Sequence, residues 1–142
     1  GAQSDVEMKE KRDRVEDAVY ATKAAMEGGI LPGGGIALLN IAGEICGCST
    51  AKSIIKYALQ QPFNVILENG GYDPNEVKGD IALNYQNSFG YGFDVKEGVV
   101  GNMIEMGIID PLKVTKSALE NAVSVATTIL STNCIITNVR AK

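Results

Sequence analysis

The sequence predicts a mainly helical fold with small β additions, and three observations carry that prediction. Long stretches place apolar residues at helical spacing, several of them opened by a capping residue and closed by glycine. Phe89-Gly-Tyr-Gly-Phe93 instead alternates aromatic with glycine, and Val99-Val100 follows across Asp94-Val-Lys-Glu-Gly98, the pattern of a β-hairpin. Cys134-Ile-Ile-Thr-Asn-Val139 is β-prone enough for a terminal strand.

Taken in order, Ser4-Asp5-Val6-Glu7 reads as a capping box, with Ser4 accepting from the N–H three residues on and Glu7 reaching back. The helix it opens should run from Asp5 to Glu27. Met8, Val15, Ala18, Val19, Ala25 and Met26 share one face. Lys9-Glu-Lys-Arg-Asp-Arg14, followed by Glu16 and Asp17, makes about two turns of mixed charge, so the first half should project into solvent.

Gly28-Gly29-Ile-Leu-Pro-Gly33-Gly34-Gly35 then punctuates the chain. It is either a helix C-cap with a tight linker, or a place where backbone lies close against something else. A second helix is expected from Gly33 to Gly47, apolar on most sides and therefore buried. A third, capped by Ser49 or Thr50, should run to Asn69 and stop at Gly70-Gly71, with Pro62 kinking it. Asp73-Pro74-Asn75-Glu76 restarts a short helix to Leu83, with Asp73 as N-cap and Pro74 at the first helical position. After the hairpin, Asn102 to Met106 makes a helical turn closed by Gly107. Asp110 caps the last helix, Pro111 to Thr132, whose Val114, Ala118, Ala122, Val125, Ala126 and Ile129 form an apolar stripe. Four substantial helices around one core are the expected sum.

Composition removes several function classes. The 142 residues are 45% hydrophobic with a net charge of −4, which leaves no basic footprint for nucleic acid. Three Phe, five Tyr and no Trp also argue against base-stacking surfaces. No apolar run approaches the roughly 20 residues that span a bilayer. The acidic, mixed-charge beginning does not read as a signal or transit peptide. Histidine is absent, which removes Ser-His-Asp and Cys-His catalysis and imidazole metal sites. Cys46, Cys48 and Cys134 are too few for a zinc site and read as buried, reduced intracellular thiols.

The residues with chemistry to offer are Asp17, Asp110 and the triple glycine. By periodicity alone Asp17 is a surface carboxylate and Asp110 a helix cap. No G-x-x-x-x-G-K-[ST] motif is present, so the glycines are not a Walker P-loop. They can still present bare backbone N–H groups to a flat or anionic ligand.

Six ordered blocks go further: Val6-Glu-Met-Lys-Glu-Lys11, Arg14-Val-Glu-Asp-Ala18, Ala21-Thr-Lys-Ala-Ala25, Pro32-Gly-Gly-Gly-Ile-Ala-Leu38, Gly101-Asn-Met-Ile-Glu-Met-Gly-Ile-Ile-Asp-Pro111 and Lys113-Val-Thr-Lys-Ser-Ala-Leu119. Together they resemble the C-terminal part of a group I (GroEL-type) chaperonin subunit. The resemblance implies that residues 1–27 are the returning helix of the intermediate domain. Residues 28–142 are then the C-terminal half of the helical, ATP-binding equatorial domain. It implies an ATP-dependent folding machine whose subunits form stacked homo-oligomeric heptameric rings. The apical domain for unfolded polypeptide and co-chaperonin, and the ligands for phosphate and Mg²⁺, lie outside this segment.

By the same resemblance, Asp17 matches the aspartate that activates the attacking water. Gly34, flanked by Gly33 and Gly35, matches the glycine whose backbone packs against the nucleotide, and Asp110 matches the carboxylate that bonds the ribose. Phe93, Asp94, Val95 and Ile108 fall where the adenine pocket is built. Asp94-Val95-Lys96 stands where many members carry Asn-Ala-Ala, which leaves a backbone contact to the base. The segment alone is expected to be inactive as an ATPase. The compartment implied is a bacterial cytoplasm, or the matrix of a mitochondrion or plastid. The competing reading is a non-enzymatic helical module in which the glycine turn is purely structural.

Overall fold

A computed structural model of the chain describes residues 1–47, 49–85, 89–134 and 136. Among them are five helices, α1 (Asp5–Gly28), α2 (Ile36–Glu44), α3 (Thr50–Asn69), α4 (Pro74–Tyr85) and α5 (Leu112–Leu130). Two antiparallel ribbons join them. β1 (Ile30–Pro32) pairs with β4 (Ile109–Pro111), and β2 (Tyr91–Asp94) pairs with β3 (Val99–Asn102). The mainly helical class with a small hairpin is therefore as expected. Of the terminal strand expected over Cys134–Val139, only Cys134 and Ile136 are described and neither is in a strand; the rest lies outside the described residues, as does Cys48.

Local chemistry accounts for most boundaries. Ser4 Oγ accepts from the Glu7 N–H at 3.2 Å and opens α1. The reciprocal bond of the capping box is displaced by one residue, because Glu7 Oε2 accepts from the Gln3 N–H instead, at 2.9 Å. Lys11 completes the arrangement, 2.8 Å from Glu7, and its ammonium together with the Gln3 N–H holds the Glu7 carboxyl below its ordinary range. Ser49 caps α3 by accepting from the Lys52 N–H. Asp73 Oδ1 accepts from the Asn75 N–H at 2.8 Å and starts α4.

The core sits between α2, α3, α4 and the hairpin. Leu59, Phe63 and Leu67 present one face of α3 at four-residue spacing, and Ile36, Val77 and Met103 close on it. Phe63, Ile36, Leu67 and Met103 are its largest fully buried side chains. Pro62 is accommodated within α3.

Four expectations need correction. The glycines are not part of the second helix: Gly34 and Gly35 adopt positive φ of 67° and 78°, so the chain turns there, Gly35 stands at the N-cap position and α2 begins at Ile36. Nor is α2 buried on most sides, for Ile36, Ala37 and Ala42 are inside while Ile41 is exposed. The four long helices do not share one core, because α1 and α5 have no buried residue. Periodicity identifies an apolar face without saying what covers it. Finally, Cys46 and Cys134 are exposed free thiols rather than buried ones. Among the described residues, no helix is long and apolar enough to cross a membrane.

Candidate functional site

The glycine turn is built around β1 and β4. Ile30, Leu31 and Pro32 pair with Pro111, Asp110 and Ile109, and the Gly33 N–H extends the ribbon by donating to the Ile108 carbonyl at 2.9 Å. Asp110 therefore lies in a strand opposite Leu31 and is not a helix cap. Pro111 holds the N-cap position of α5 and makes no side-chain cap bond.

Each of the three glycines has its own physical reason. A Cβ on Gly33 would lie 3.1 Å from the Ile108 carbonyl carbon and oxygen. A Cβ on Gly35 would lie 2.8 Å from the backbone nitrogen of Phe63, in the turn of α3 that follows Pro62. Both are contacts between backbones that a side chain would prevent. Gly34 differs: its Cβ would meet only the terminal methyl of Met103, at 2.8 Å, so positive φ is its main demand.

Met103 connects this turn to the hairpin. Its side chain lies under Gly34 and under Gly92, where an added Cβ would approach it to 2.8 Å in each case. Its N–H donates to the Gly90 carbonyl at 2.9 Å, and its carbonyl accepts from the Ile108 N–H at 2.8 Å. One fully buried residue thus links Gly34 and the β2 strand through its side chain, and the residue that precedes β4 through its carbonyl.

In the hairpin, Asp94 Oδ1 accepts from the N–H groups of Lys96 at 2.8 Å and Glu97 at 3.3 Å, while the Asp94 carbonyl accepts from Gly98. One oxygen of this carboxylate is therefore engaged in shaping the turn. Phe93 meets Tyr72 edge to face, with ring centroids 4.7 Å apart. Val95 packs over Gly70 at the end of α3.

The structure thus brings Gly33, Gly34, Gly35, Ile108 and Asp110 together along one ribbon and ties them to the hairpin of Phe93, Asp94 and Val95. The carboxylate of Asp110 is exposed and has no hydrogen bond or ion pair to the described residues. Asp17 is not joined to this group. It is exposed on α1, roughly 16 Å along the helix from Gly28. The shallow depression it borders is made of α1 side chains alone, including Lys9, Asp13 and Arg14. Among the described residues, no group of three or more acidic or thiol side chains could hold a metal ion.

Sequence reasoning missed Met103, Tyr72 and the β1–β4 pairing. Met103 and Tyr72 carry no pattern of their own. The one available signal was position, since each stands beside glycines that a packed side chain would need.

The fold is that of a chaperonin segment. It is similar to a solved structure described as the crystal structure of a group III chaperonin in the open state, with a TM-score of 0.82 and 33% sequence identity. The similarity covers 96% of this chain and 30% of that one, so the chain spans under a third of the length of the protein it matches. A family model described as the TCP-1/cpn60 chaperonin family matches residues 1–140. The chain belongs to the TCP-1/cpn60 chaperonin family.

Proposed function

We propose that this chain is the C-terminal part of a chaperonin subunit and supplies the nucleoside-facing half of its ATP site. The observation that carries the proposal is the β1–β4 ribbon, which sets the glycine turn beside Asp110 although 74 or more residues separate them in sequence. On this reading residues 1–27 are the intermediate-domain helix and residues 28–142 the C-terminal half of the equatorial domain.

The residues present fit a nucleoside. Asp110 offers an exposed, unengaged carboxylate to accept from sugar hydroxyls. Gly34 offers backbone without a side chain, and Phe93, Val95 and Ile108 offer partly buried apolar surface to a base. They do not by themselves fit Mg²⁺ or a triphosphate, so those ligands come from the rest of the subunit. ATP supplies the phosphoryl group whose transfer to water drives the machine. In this scheme Asp17 accepts the proton of the attacking water after α1 swings down over the site, with Gly28-Gly29 as the hinge.

Ring-forming subunits, unfolded polypeptide and a co-chaperonin bound by the apical domain are the partners this reading assigns to the complete protein. A bacterial cytoplasm or an organelle matrix is the corresponding compartment. The narrower group I reading rests on the six sequence blocks. Sevenfold rings of the complete subunit by electron microscopy would support it, and another symmetry would overturn it.

The decisive experiment is Asp17→Ala in the complete subunit. ATP should still bind, while turnover falls by roughly 10²-fold or more, the range a positioned general base supplies. Near-normal turnover would reject the role of Asp17. The 142-residue chain alone should show no ATPase activity and at most weak nucleotide binding, and robust Mg²⁺-dependent hydrolysis by it would overturn the half-site reading.

A further inference from the structure

The turn Gly70-Gly71-Tyr72 closes α3 and touches the hairpin at three places. The Tyr72 ring packs its edge against Phe93. The Tyr72 hydroxyl lies beside Gly98, 3.0 Å from where a Cβ would stand. Gly70 lies directly beneath Val95: a Cβ there would collide with Val95 Cγ1. The turn is itself anchored in the core. The Tyr72 N–H donates to the carbonyl of fully buried Leu67 at 2.9 Å, and the Gly70 N–H to that of Ile66 at 3.1 Å.

The hairpin needs such support. Its strands are four residues each, and a two-stranded ribbon is marginal without packing on one face. Met103 and Ile36 support it under Gly92, near its base. Near its tip, where Phe93, Asp94 and Val95 lie, Tyr72 and Gly70 contact Phe93 and Val95. These two also pack against the buried cluster of Ile36, Phe63, Leu67, Val77 and Met103, and α4 touches β2 as well. The position of Phe93, Asp94 and Val95 relative to the glycine turn is therefore set from behind.

We propose that Tyr72 and Gly70 are positioning residues for base selection, holding Phe93 and Val95 at the distance that admits adenine in preference to guanine. This rests on the nucleotide-site reading given above. The two purines differ in the donors and acceptors at their edges, and discrimination between such ligands depends on polar backbone groups held within about 0.5 Å of their productive places. Neither Tyr72 nor Gly70 touches the ligand in this arrangement. Both act through Phe93 and Val95.

The test uses the complete subunit with Tyr72→Ala, Tyr72→Phe, Gly70→Ala and, in parallel, Asp110→Ala, with ATP and GTP as probes of affinity and hydrolysis. Gly70 has φ of −80°, so alanine brings no backbone strain there and its methyl acts by displacing Val95. Tyr72→Ala and Gly70→Ala should each raise the KM for ATP and reduce the preference for ATP over GTP by roughly two- to tenfold, the range of one aromatic edge contact. Their kcat should stay within about twofold of the parent, because phosphate handling is untouched. Tyr72→Phe keeps the ring and should retain the parent's preference. An unchanged ATP preference in folded Gly70→Ala overturns the proposal even where Tyr72→Ala fails to fold. So does a fall confined to kcat. If Asp110→Ala weakens ATP binding while the other variants keep the preference, only this proposal fails. If Asp110→Ala also leaves ATP affinity unchanged, the nucleotide-site reading fails first.

Discussion

Glu27 and Lys113, 86 positions apart in sequence, meet at 2.8 Å and join the end of α1 to the first turn of α5. Backbone contacts reinforce the junction. Leu112 donates its N–H to the Gly29 carbonyl at 3.1 Å, and Gly28 lies against the Lys113 side chain. Charge, hydrogen bond and close packing thus converge where α1 leaves the body of the chain. α1 also packs along α5 and β4, with Ala21, Ala24 and Ala25 partly buried, while its charged N-terminal half carries its cap and pairs along its own surface, such as Arg14–Glu10.

The ion pair should matter for the direction of α1 more than for stability. Both side chains are at least half exposed, at 62% for Lys113 and 50% for Glu27, so solvent and salt screen the attraction. Lys113→Ala should lower unfolding free energy by no more than about 1 kcal/mol. The angle between α1 and α5 should nonetheless broaden, measurable as a wider spin-label distance distribution between α1 and α5. A loss of several kcal/mol, or an unchanged distribution, would contradict this account.

The glycine turn allows a comparison between two substitutions with similar backbone cost. Gly35 and Gly107 have φ of 78° and 76°, so alanine at either pays about 1–2 kcal/mol for left-handed backbone. Around Gly107 there is open space for a Cβ, whereas at Gly35 a Cβ would press on the Phe63 backbone at 2.8 Å. Gly35→Ala should therefore destabilise the chain by a further 1–3 kcal/mol or so beyond Gly107→Ala, the typical cost of overpacking. Denaturant unfolding of the two variants measures the difference. Equal losses would mean that the α2–α3 contact relaxes freely.

What the sequence made legible follows from how local each signal is. The α3 boundaries came from Ser49 and Gly70, and its buried face from Leu59, Phe63 and Leu67, all within one helix. The β1–β4 ribbon was hidden for two reasons. Its strands are three residues long, and each contains a proline, Pro32 or Pro111, which normally argues against a strand. A two-stranded ribbon has only edges, and there proline is tolerated. The same ribbon turned Asp110 from an assumed cap into an exposed strand residue, which strengthens its availability to a ligand. Gly34 and Asp110 were visible as candidates through family resemblance, whereas Met103 and Tyr72 acquire their roles only through packing across distant segments.

The apolar stripe of α5 leads to a prediction about association. Val114, Val125 and Ile129 are 54%, 59% and 52% exposed on one face of a 19-residue helix that buries nothing. Contiguous exposed apolar surface of this kind tends to find a partner. For the 142-residue chain in isolation the partner at hand is a second copy, so sedimentation velocity should show concentration-dependent self-association. Val125→Lys with Ile129→Lys places two charges one helical turn apart on that stripe and should weaken association at least about tenfold, since each buried aliphatic side chain contributes roughly 1.5–3 kcal/mol. Helix content should not change, because neither residue belongs to the core of Ile36, Phe63, Leu67, Val77 and Met103. A parent chain that stays strictly monomeric at high concentration would show that the exposed stripe of α5 is tolerated without a partner.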